Sequence, residues 1–268
     1  MQQRHLDREQ YFHELAGTAR EFYLDYLRPY ITFTPETRVL EIGCGEGGNL
    51  LAFAELGCQV TGIDINEGRI EEARKFFADA HRQGTFRCQN FTLSEPPAKE
   101  EERFDLVLCH DVIEHIEPPY KQEFVAHIKP FLRHGGIVFF GFPAWQNPFG
   151  GHQQISNGLA SKTPFVHLLP NPAYRAVLRW CGATPSHIKE LMSIRRARIT
   201  VEDFEKLAAQ TGYTILDRTL WFINPHYKQK FGLKPRLQWP FFRSLPYIRN
   251  FYTTSAFFLL KAKGELSQ

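Results

Sequence analysis

The chain has 268 residues, 43% of them hydrophobic, and a formal net charge of +3 at pH 7. This length allows one sizeable core, so we expect one elaborated domain over residues 1–268, and the mild charge does not require a nucleic-acid partner. No apolar signal-peptide core or membrane-spanning run stands out, and five cysteines lack a metal or redox spacing, which favours reduced thiols in a cytoplasmic protein.

The first predicted element is a helix over residues 6–29, in which apolar side chains such as Tyr11, Leu15 and Leu27 recur at helical spacing. Strand-like and helical segments then alternate. The five strand-like segments are, in order, RVLEIG, CQVTGIDI, GTFRCQN, FDLVLCH and GIVFFGFP. Helical patterns separate them, including a short one at DVIEHI directly after the fourth strand. This alternation predicts an α/β class with a parallel sheet and right-handed crossovers.

The alternation is interrupted twice from Pro143 onwards. Residues 143–198 are rich in prolines and aromatic side chains and predict an inserted lid. A helix capped by Thr200, with Asp203 three residues on, and a sixth strand then follow. A second irregular stretch, 224–250, precedes the last strand, YTTSAFFLLKAK. The sequence therefore predicts seven strands, an N-terminal helix and two cap insertions.

The stretch VLEIGCGEGG ends the first strand and contains Gly43, Gly45 and Gly48 at the spacing of a dinucleotide-binding loop. Such a turn lets the backbone approach a ligand and aims free N–H groups at it. A pyrophosphate is disfavoured, because the Glu41 carboxylate stands two residues before the first glycine and would repel phosphate charge. S-adenosylmethionine suits the loop better, since it carries an ammonium, a sulfonium and a carboxylate but no phosphate. A tight turn without a ligand is the third interpretation.

The next two strand ends offer further ligand contacts. Asp64 ends the second strand about twenty positions after the loop, where a carboxylate can accept hydrogen bonds from both ribose hydroxyls of either cofactor. Ile65 would lie against the adenine face. At the end of the third strand the amide of Asn90 can pair with the adenine edge, and the ring of Phe91 either stacks on adenine or packs in the core.

Four segments, VLEIGCGEGG, GIDI, FDLVLCHDVIEHI and FLRHGGIVFF, occur in this order at ordinary spacing. They resemble the successive motifs of class I S-adenosylmethionine-dependent methyltransferases, in particular the group that includes the ubiquinone-pathway O-methyltransferases. The resemblance covers roughly residues 35–142 and returns at 199–218 and 252–263. It implies a Rossmann-like, seven-stranded mixed sheet with helices on both faces, in which the last strand is antiparallel.

The same resemblance implies a set of cofactor contacts. From the methionine end of S-adenosylmethionine to its adenine, the contacts would be made by Glu41, Gly43, Gly45, Asp64 and Asn90. His110 would lie beside the cofactor at the tip of the fourth strand. Asn90 departs from the acidic residue that is usual in this group, although its amide can keep the adenine contact.

Methyl transfer to a hydroxyl needs alignment, a dry site and a means of removing the acceptor proton. Within HDVIEH, the side chains of Asp111, Glu114 and His115 would share one helical face, similar to the ligand set of some metal-dependent O-methyltransferases, including the small-RNA 3′-end enzymes. The alternative is a capping box that starts at Asp111. We favour the capping box, so no metal ligand is assigned and a divalent metal is the less favoured option.

The segment NPFGGHQQ follows the fifth strand and can reach the cofactor's methyl group. His152 is a candidate catalytic base, because an imidazole titrates near neutral pH. Asp111 is the second candidate catalytic residue. A solvated or hydrogen-bonded loop histidine is the alternative for His152. If a metal does bind, His152 would be its fourth ligand.

The second insertion lies in a basic and aromatic stretch. Between residues 219 and 260 there is no acidic residue, whereas six Lys or Arg and many aromatic residues occur. Such a stretch can line a pocket for an apolar acceptor, grip RNA, touch an anionic membrane or simply pack on the sheet.

Together these patterns predict an S-adenosylmethionine-dependent methyltransferase that acts on a small or lipid-like acceptor, at oxygen. An RNA methyltransferase and a catalytically silent cofactor-binding module stay open as alternatives, and a dehydrogenase is the remote fourth option. The sequence defines neither the acceptor molecule nor the oligomeric state.

Overall fold

A mixed β-sheet runs through the centre of the molecule, for which the computed structural model describes residues 7–155 and 159–264. The strands found in these residues are β1 (Arg38–Ile42), β2 (Gln59–Asp64), β3 (Thr85–Cys88), β4 (Phe104–His110), β5 (Leu132–Phe142), β6 (Tyr213–Ile223), β7 (Arg236–Leu237) and β8 (Ser255–Ala262). Their order in the sheet is β3-β2-β1-β4-β5-β8-β6-β7. Strands β1 to β5 pair in parallel, whereas β8 is antiparallel to both β5 and β6.

All seven predicted strands are present, and the antiparallel last strand is confirmed by the pairing of β8 with β5. The eighth strand, β7, has two residues, which pair with Trp221 and Ile223 of β6. Two residues are too few to produce an alternating pattern in the sequence. The predicted count was therefore one strand too low.

Helices cover both faces of the sheet. They are α1 (Arg8–Thr18), α2 (Leu24–Leu27), α3 (Gly48–Glu55), α4 (Glu67–Asp79), α5 (Pro118–His127), α6 (Asn171–Trp180), α7 (Pro185–Ala197), α8 (Val201–Gln210), α9 (His226–Phe231) and α10 (Pro240–Ser244). The predicted N-terminal helix is present as α1 and α2, joined by a π-helical turn over Ala19–Tyr23. Thr200 and Asp203 form the predicted capping box of α8. Across the described residues, no helix has both the length and the apolar character needed to cross a bilayer.

Each face of the sheet has its own hydrophobic core. On one face α5 and α8 bury Phe124 and Phe204 against the strands, and on the other α1 to α4 bury residues such as Phe12 and Phe53. The lid contains α6 and α7, which form a separate small core around Tyr174. Both insertions leave the sheet at the carboxyl ends of strands, β5 and β6, which run in the same direction. The lid and the second insertion therefore start from one edge of the sheet.

The segment DVIEHI is not a helix. Residues 111–117 form turns and bends, and α5 begins only at Pro118. Asp111 has a left-handed φ of 53°, and its N–H donates to the Gly141 carbonyl oxygen, which continues the pairing between β4 and β5. Asp111 therefore caps no helix. The predicted capping box and the predicted shared helical face are both wrong.

Candidate active site

The carboxyl ends of the parallel strands bring the predicted cofactor residues to one edge of the sheet. Strand β1 lies between β2 and β4, and Glu41 is aligned with Gly62 on one side and Leu108 on the other. Asp64 ends β2 and His110 ends β4. Side chains from three separate strands thus share the edge at which open α/β sheets bind their ligands.

The glycine loop after β1 is held closely against its neighbours. The N–H groups of Gly43 and Cys44 both donate to the Ile63 carbonyl oxygen, at 2.7 and 3.1 Å. Gly43 has a φ of 71°, and a Cβ added there would lie 2.5 Å from Cγ2 of Val112. Any side chain at position 43 would therefore push the loop away from the turn that follows β4. At Gly45, whose φ is 52°, an added Cβ would lie 3.8 Å from the Arg69 side chain, which is ordinary contact, so the loop is less crowded there than at Gly43.

The Asp64 carboxylate organises this loop. Its Oδ2 accepts the N–H of Gly45 at 2.9 Å, and its Oδ1 accepts the N–H of Asn66 at 2.8 Å. Each oxygen keeps a lone pair, so the same carboxylate can accept a ribose hydroxyl without releasing the loop. The next residue, Ile65, is 77% exposed. An apolar side chain is thus presented at the strand end where adenine is expected.

The two residues predicted at the end of β3 have different surroundings. Asn90 is exposed, and its Oδ1 accepts the N–H and the hydroxyl of Thr92, which leaves its NH₂ group for a base edge. The Phe91 ring packs on Phe131, with centroids 4.8 Å apart, and on Phe124. A ring that is only 3% exposed cannot stack on a ligand. The structure thus corrects the stacking expectation for Phe91, whose side chain belongs to the core.

Glu41 is buried, and only one of its carboxyl oxygens has a partner. Oε1 accepts a hydrogen bond from Nδ2 of Asn49 at 2.7 Å, whereas Oε2 is buried without one. Burial raises the pKa of this carboxyl to about 8. An ammonium group would satisfy the free oxygen and favour its ionised form. The residues at this edge therefore fit a cofactor with a positively charged amino-acid end.

A cavity of about 300 Å³ opens beside the ends of β4 and β5. Asp111 and His115 line it from the turn after β4, and His152 lines it from the lid. Tyr11 of α1 and Tyr227 of α9 complete its other side. Both predicted catalytic residues, Asp111 and His152, therefore line the same cavity.

Helices α1 and α9 form a roof over this cavity. Thr18 Oγ1 lies 3.1 Å from Nδ1 of His226, and Lys228 Nζ pairs with Oε2 of Glu21 at 2.5 Å. Tyr11 lies within the roof, where burial and the nearby Asp111 carboxylate raise the pKa of its hydroxyl. The Tyr11 hydroxyl stays protonated at neutral pH and can donate a hydrogen bond to a ligand.

Glu114, His115 and His152 form a cluster in which one ligand atom of each lies within 4.8 Å of the others. The two imidazole rings meet edge to face, with centroids 5.1 Å apart. Both carboxyl oxygens of Glu114 are buried without a hydrogen-bond partner, and burial followed by the charge of Asp111 raises the pKa of this carboxyl well above its ordinary value. Asp111 itself is outside the cluster. Despite the missing helix, three of the four residues considered as metal ligands thus come together.

His152 is positioned by the glycines that precede it. A Cβ at Gly151 would lie 2.2 Å from Cβ of His167, so the lid can close on itself only with glycine there. His152 has a left-handed φ of 54°, a backbone strain that often marks functional sites. Burial, followed by the neighbouring His115, lowers its pKa to about 4. This value corrects the expectation of a ring that titrates near neutral pH: His152 is neutral at pH 7 and a weaker base than a solvated imidazole.

His110 lies beneath the cavity rather than in its lining. Its ring packs on Tyr23 of the π-helical turn, with centroids 5.4 Å apart, and its Nδ1 lies 3.4 Å from Oδ2 of Asp111. Its Nε2 is buried without a hydrogen-bond partner. This geometry suits a residue that orients Asp111. The contact with the cofactor predicted for His110 stays a prediction.

Comparison with known proteins adds the family. Residues 40–138, which run from β1 into β5 and include the glycine loop and Asp64, match the family described as "Methyltransferase domain". Over these residues the chain is similar to the class I S-adenosylmethionine-dependent methyltransferases. The predicted resemblance is thereby confirmed, and so is the cofactor of this class, S-adenosylmethionine.

Curated relatives of the chain include two ubiquinone biosynthesis O-methyltransferases. The protein from Coxiella burnetii is 28% identical over 153 residues, which cover 54% of this chain and 63% of the relative. The protein from Pasteurella multocida is 28% identical over 170 residues, which cover 59% of this chain and 69% of the relative. The chain thus spans about three fifths of the length of the first relatives it matches.

Solved structures of low sequence identity share the fold. An S-adenosylmethionine-dependent methyltransferase from Clostridium acetobutylicum has a TM-score of 0.57 at 12% identity, over 92% of both chains. Magnesium protoporphyrin IX methyltransferase from Synechocystis PCC 6803, solved with bound S-adenosylhomocysteine, has a TM-score of 0.52 at 15% identity, over 95% of this chain and 83% of the other. These likenesses confirm the Rossmann-like architecture of the chain.

Sequence reasoning missed part of the cavity lining. Tyr11 occupies an apolar position of the predicted first helix. Helical periodicity does not show that its hydroxyl group faces a cavity, because a phenylalanine at this position would fit the same pattern. Tyr227 falls within the basic and aromatic stretch, where no pattern separates it from the other rings. Nothing in the sequence pattern brings the two residues together, since α1 and α9 meet only in the folded chain.

Proposed function

We propose that the methyltransferase transfers the methyl group of S-adenosylmethionine to an oxygen atom of a small, lipid-like acceptor. The observation that carries this proposal is the cavity lined by Asp111, His115 and His152, at the sheet edge where Glu41 and Asp64 stand. The similarity to ubiquinone biosynthesis O-methyltransferases supports oxygen as the acceptor atom. The five cysteines, all free thiols, support a cytoplasmic location.

In this proposal the chain binds the cofactor, aligns the acceptor with it and removes the acceptor's hydroxyl proton. Bound S-adenosylmethionine supplies an electrophilic methyl group on a positively charged sulfur. Asp64 holds the glycine loop and the ribose, while the lid and the roof exclude water from the cavity. The neutral His152 ring accepts the acceptor's hydroxyl proton, and the Asp111 carboxylate stabilises the resulting imidazolium, since it raises the pKa of His152 against the effect of burial.

A divalent cation is the alternative means of activating the hydroxyl. It would be held by Glu114, His115 and His152 and would lower the pKa of the acceptor hydroxyl. The specific observation in its favour is the Glu114 carboxyl, both of whose oxygens are buried without a partner. Burial also lowers the pKa of His115, so both rings are in the neutral form that ligates metals.

Methyl transfer is tested by incubating the full chain with radiolabelled S-adenosylmethionine and a panel of catechols, with and without an isoprenoid tail. We expect label on the acceptor oxygen and a preference for the tailed compounds. Label on no hydroxyl compound, or on added RNA alone, would overturn the proposal.

The base and the metal mechanisms are separated by chelation. Protein treated with EDTA keeps its activity if His152 acts as the base, and regains it only with added Mg²⁺ or Zn²⁺ if a metal does. Glu114→Gln then removes the metal response. The control Glu117→Gln leaves it unchanged, because Glu117, three residues on, is only half-buried and pairs with Arg196. Full activity of the EDTA-treated protein at every metal concentration would reject the metal alternative.

A further inference from the structure

The charge of the chain is distributed very unevenly. The two insertions, 143–198 and 224–250, contain thirteen Lys or Arg and one acidic residue, Glu190, which gives them a formal charge of +12. The rest of the chain contains nineteen basic and twenty-eight acidic residues, a formal charge of −9. The mild total of +3 thus conceals a strongly basic cap on an acidic body. Such a cap attracts an anionic partner at long range.

The second insertion and the residue that follows it also expose apolar side chains, and we call the surface of residues 231–251 the docking face. Its exposed apolar residues are Phe231, Leu233, Leu237, Trp239, Phe241, Tyr247, Ile248 and Phe251. Phe241 and Tyr247 are each 68% exposed, and a group of exposed apolar side chains of this kind marks an interaction site. Elsewhere among the described residues, large exposed side chains such as Leu93 and Tyr120 are scattered.

Stacked rings support the docking face from below. Trp239 stacks on Phe222 of β6 with centroids 5.6 Å apart, and Phe242 stacks on Tyr252 at 4.4 Å. Phe251 lies 6.4 Å from Phe165 of the lid, so the apolar surface continues from the second insertion onto the first. Ring contacts thus join Trp239, Phe241 and Phe242 into one supported group.

Polar contacts hold the docking face in a fixed shape. Glu202 of α8 accepts the N–H of Tyr247 at 2.7 Å and a side-chain N–H of Asn250 at 2.6 Å. The buried Gln238 amide donates to the Arg249 carbonyl oxygen at 2.7 Å. Tyr247 has a left-handed φ of 64°, which is rare for an aromatic residue, and its ring points to solvent. The exposure is thus built into the loop and does not arise from looseness.

The basic residues of the docking face leave positive charge uncompensated. Arg249 is buried and paired with Glu202 and Glu205, so it contributes little to the surface potential. Lys234 and Arg236 are exposed, and neither forms an ion pair within the described residues. The face therefore combines apolar side chains with free cations.

We propose that the docking face binds the surface of an anionic phospholipid bilayer. Lys and Arg side chains are attracted to the negative charge of such a surface, and Trp and Tyr rings favour the interface between headgroups and acyl chains. The exposed aliphatic residues Leu233, Leu237 and Ile248 favour a bilayer over RNA, because they can enter acyl chains but offer no ring for a base. A second copy of the chain is disfavoured, since two caps of charge +12 repel each other.

The position of the docking face would connect the bilayer to the cavity. Helix α9 carries Tyr227, which lines the cavity, and ends at Phe231, which belongs to the face. An acceptor dissolved in the bilayer would thus meet the protein next to the methyl-transfer site. This last step rests on the proposed function, whereas binding of the bilayer does not.

Vesicle co-sedimentation of the full chain tests the inference, without cofactor or acceptor. We compare vesicles of phosphatidylcholine alone with vesicles in which about one lipid in three is the anionic phosphatidylglycerol. The second composition mimics a negatively charged leaflet. We expect binding to the anionic vesicles only. Two double variants should each lower the partition constant at least about tenfold. One removes positive charge (Lys234→Glu with Arg236→Glu), and the other removes exposed rings (Phe241→Ser with Tyr247→Ser).

Matched controls change the same chemistry elsewhere. One control makes the same change in net charge, through Lys75→Glu with Arg87→Glu. The other removes two exposed apolar side chains, through Leu93→Ser with Tyr120→Ser. The partition constant of both should stay within about twofold of that of the parent protein. Circular dichroism and the binding of S-adenosylhomocysteine verify that every variant is folded.

Several outcomes would overturn the inference: no binding to anionic vesicles, an equal loss in the controls, tighter binding of a twenty-nucleotide RNA through the same residues, or a dimer abolished by the same variants. Methyl transfer to a water-soluble catechol is measured in parallel, so failure of the docking face and failure of the proposed function give different results.

Discussion

At the scale of single residues, Asp64 combines two tasks in one carboxylate. It accepts two backbone N–H groups of the loop region and is the predicted partner of the ribose. Asp64→Ala should therefore weaken S-adenosylhomocysteine binding by about a hundredfold or more, because hydrogen bonds to a charged group contribute about 1.5–3 kcal/mol each. Isothermal titration calorimetry measures the loss.

Asp105 provides a matched control for that change. It lies at the opposite end of β4, where its carboxylate accepts the N–H of Arg38 at 2.8 Å and pairs with Arg133. Asp105→Ala should lower stability but leave cofactor affinity within about twofold. Unchanged binding in Asp64→Ala, or equal losses in both variants, would contradict a specific role for Asp64.

His152 is predicted to act on the acceptor and not on the cofactor. His152→Ala should lower kcat by about 10²- to 10⁴-fold, the usual contribution of acid–base catalysis, with little change in the affinity for S-adenosylhomocysteine. His187→Ala, on helix α7 away from the cavity, should retain parental kcat. A parental kcat in His152→Ala would remove this residue from the mechanism.

At the scale of elements, the lid contains a built-in sensitivity to acid. His167 is fully buried, its Nε2–H donates to the Trp145 carbonyl oxygen at 2.8 Å, and its Nδ1 has no partner. Burial lowers its pKa to about 4. The unfolded chain binds this proton more readily, so the stability contributed by the neutral ring is present above about pH 6.5 and is lost as the pH falls towards 4.

Protonation of His167 should lower the free energy of unfolding by about 3 kcal/mol, since the pKa of its ring is about 4 in the folded chain and about 6.5 in the unfolded one. His167→Gln keeps a donor towards Trp145 but does not titrate, so its stability should fall less between pH 6.5 and 4 than that of the parent. Urea unfolding across this range measures the difference. Parallel curves for the two proteins would show that His167 is not the cause.

The elements that sequence periodicity specifies are those that bury a regular stripe. All seven strands of four or more residues were predicted, since their apolar runs are long, whereas the two-residue β7 carries no pattern. At DVIEHI the pattern was helical, but Asp111 takes a left-handed conformation to keep its bond to Gly141, so tertiary pairing overrode local preference.

The sequence predicted those site residues that lie at strand ends, but not those that are brought together by tertiary packing. Glu41 and Asp64 lie at the carboxyl ends of strands and Asn90 follows one, and parallel strands bring these ends together whatever lies between them. Phe91 ends a strand in the same way, yet its ring turns into the core, and no sequence signal separates the two cases. The meeting of Glu114 with His152 depends on how the lid folds back, which depends on tertiary packing around Gly151.

At the scale of the whole molecule, cofactor binding should stabilise the fold. A ligand that binds only the folded state at one hundred times its Kd contributes about 2.7 kcal/mol. For a chain of this size, that should raise Tm by about 5–10 °C. Differential scanning fluorimetry with S-adenosylhomocysteine measures the rise, and nicotinamide adenine dinucleotide should produce none. A rise with the dinucleotide alone would overturn the cofactor assignment.

Helix α9 belongs to the roof and to the docking face at once. The contact of His226 with Thr18 ties it to α1, and the ion pair between Lys228 and Glu21 ties it to the π-helical turn that follows α1. Two ligands that both prefer one arrangement of a shared helix must strengthen each other equally, by thermodynamic reciprocity. If lipid contact holds α9 in its closed position, a loaded enzyme would adhere to vesicles more firmly than an empty one, and the departure of the spent nucleoside would loosen the protein from its surface.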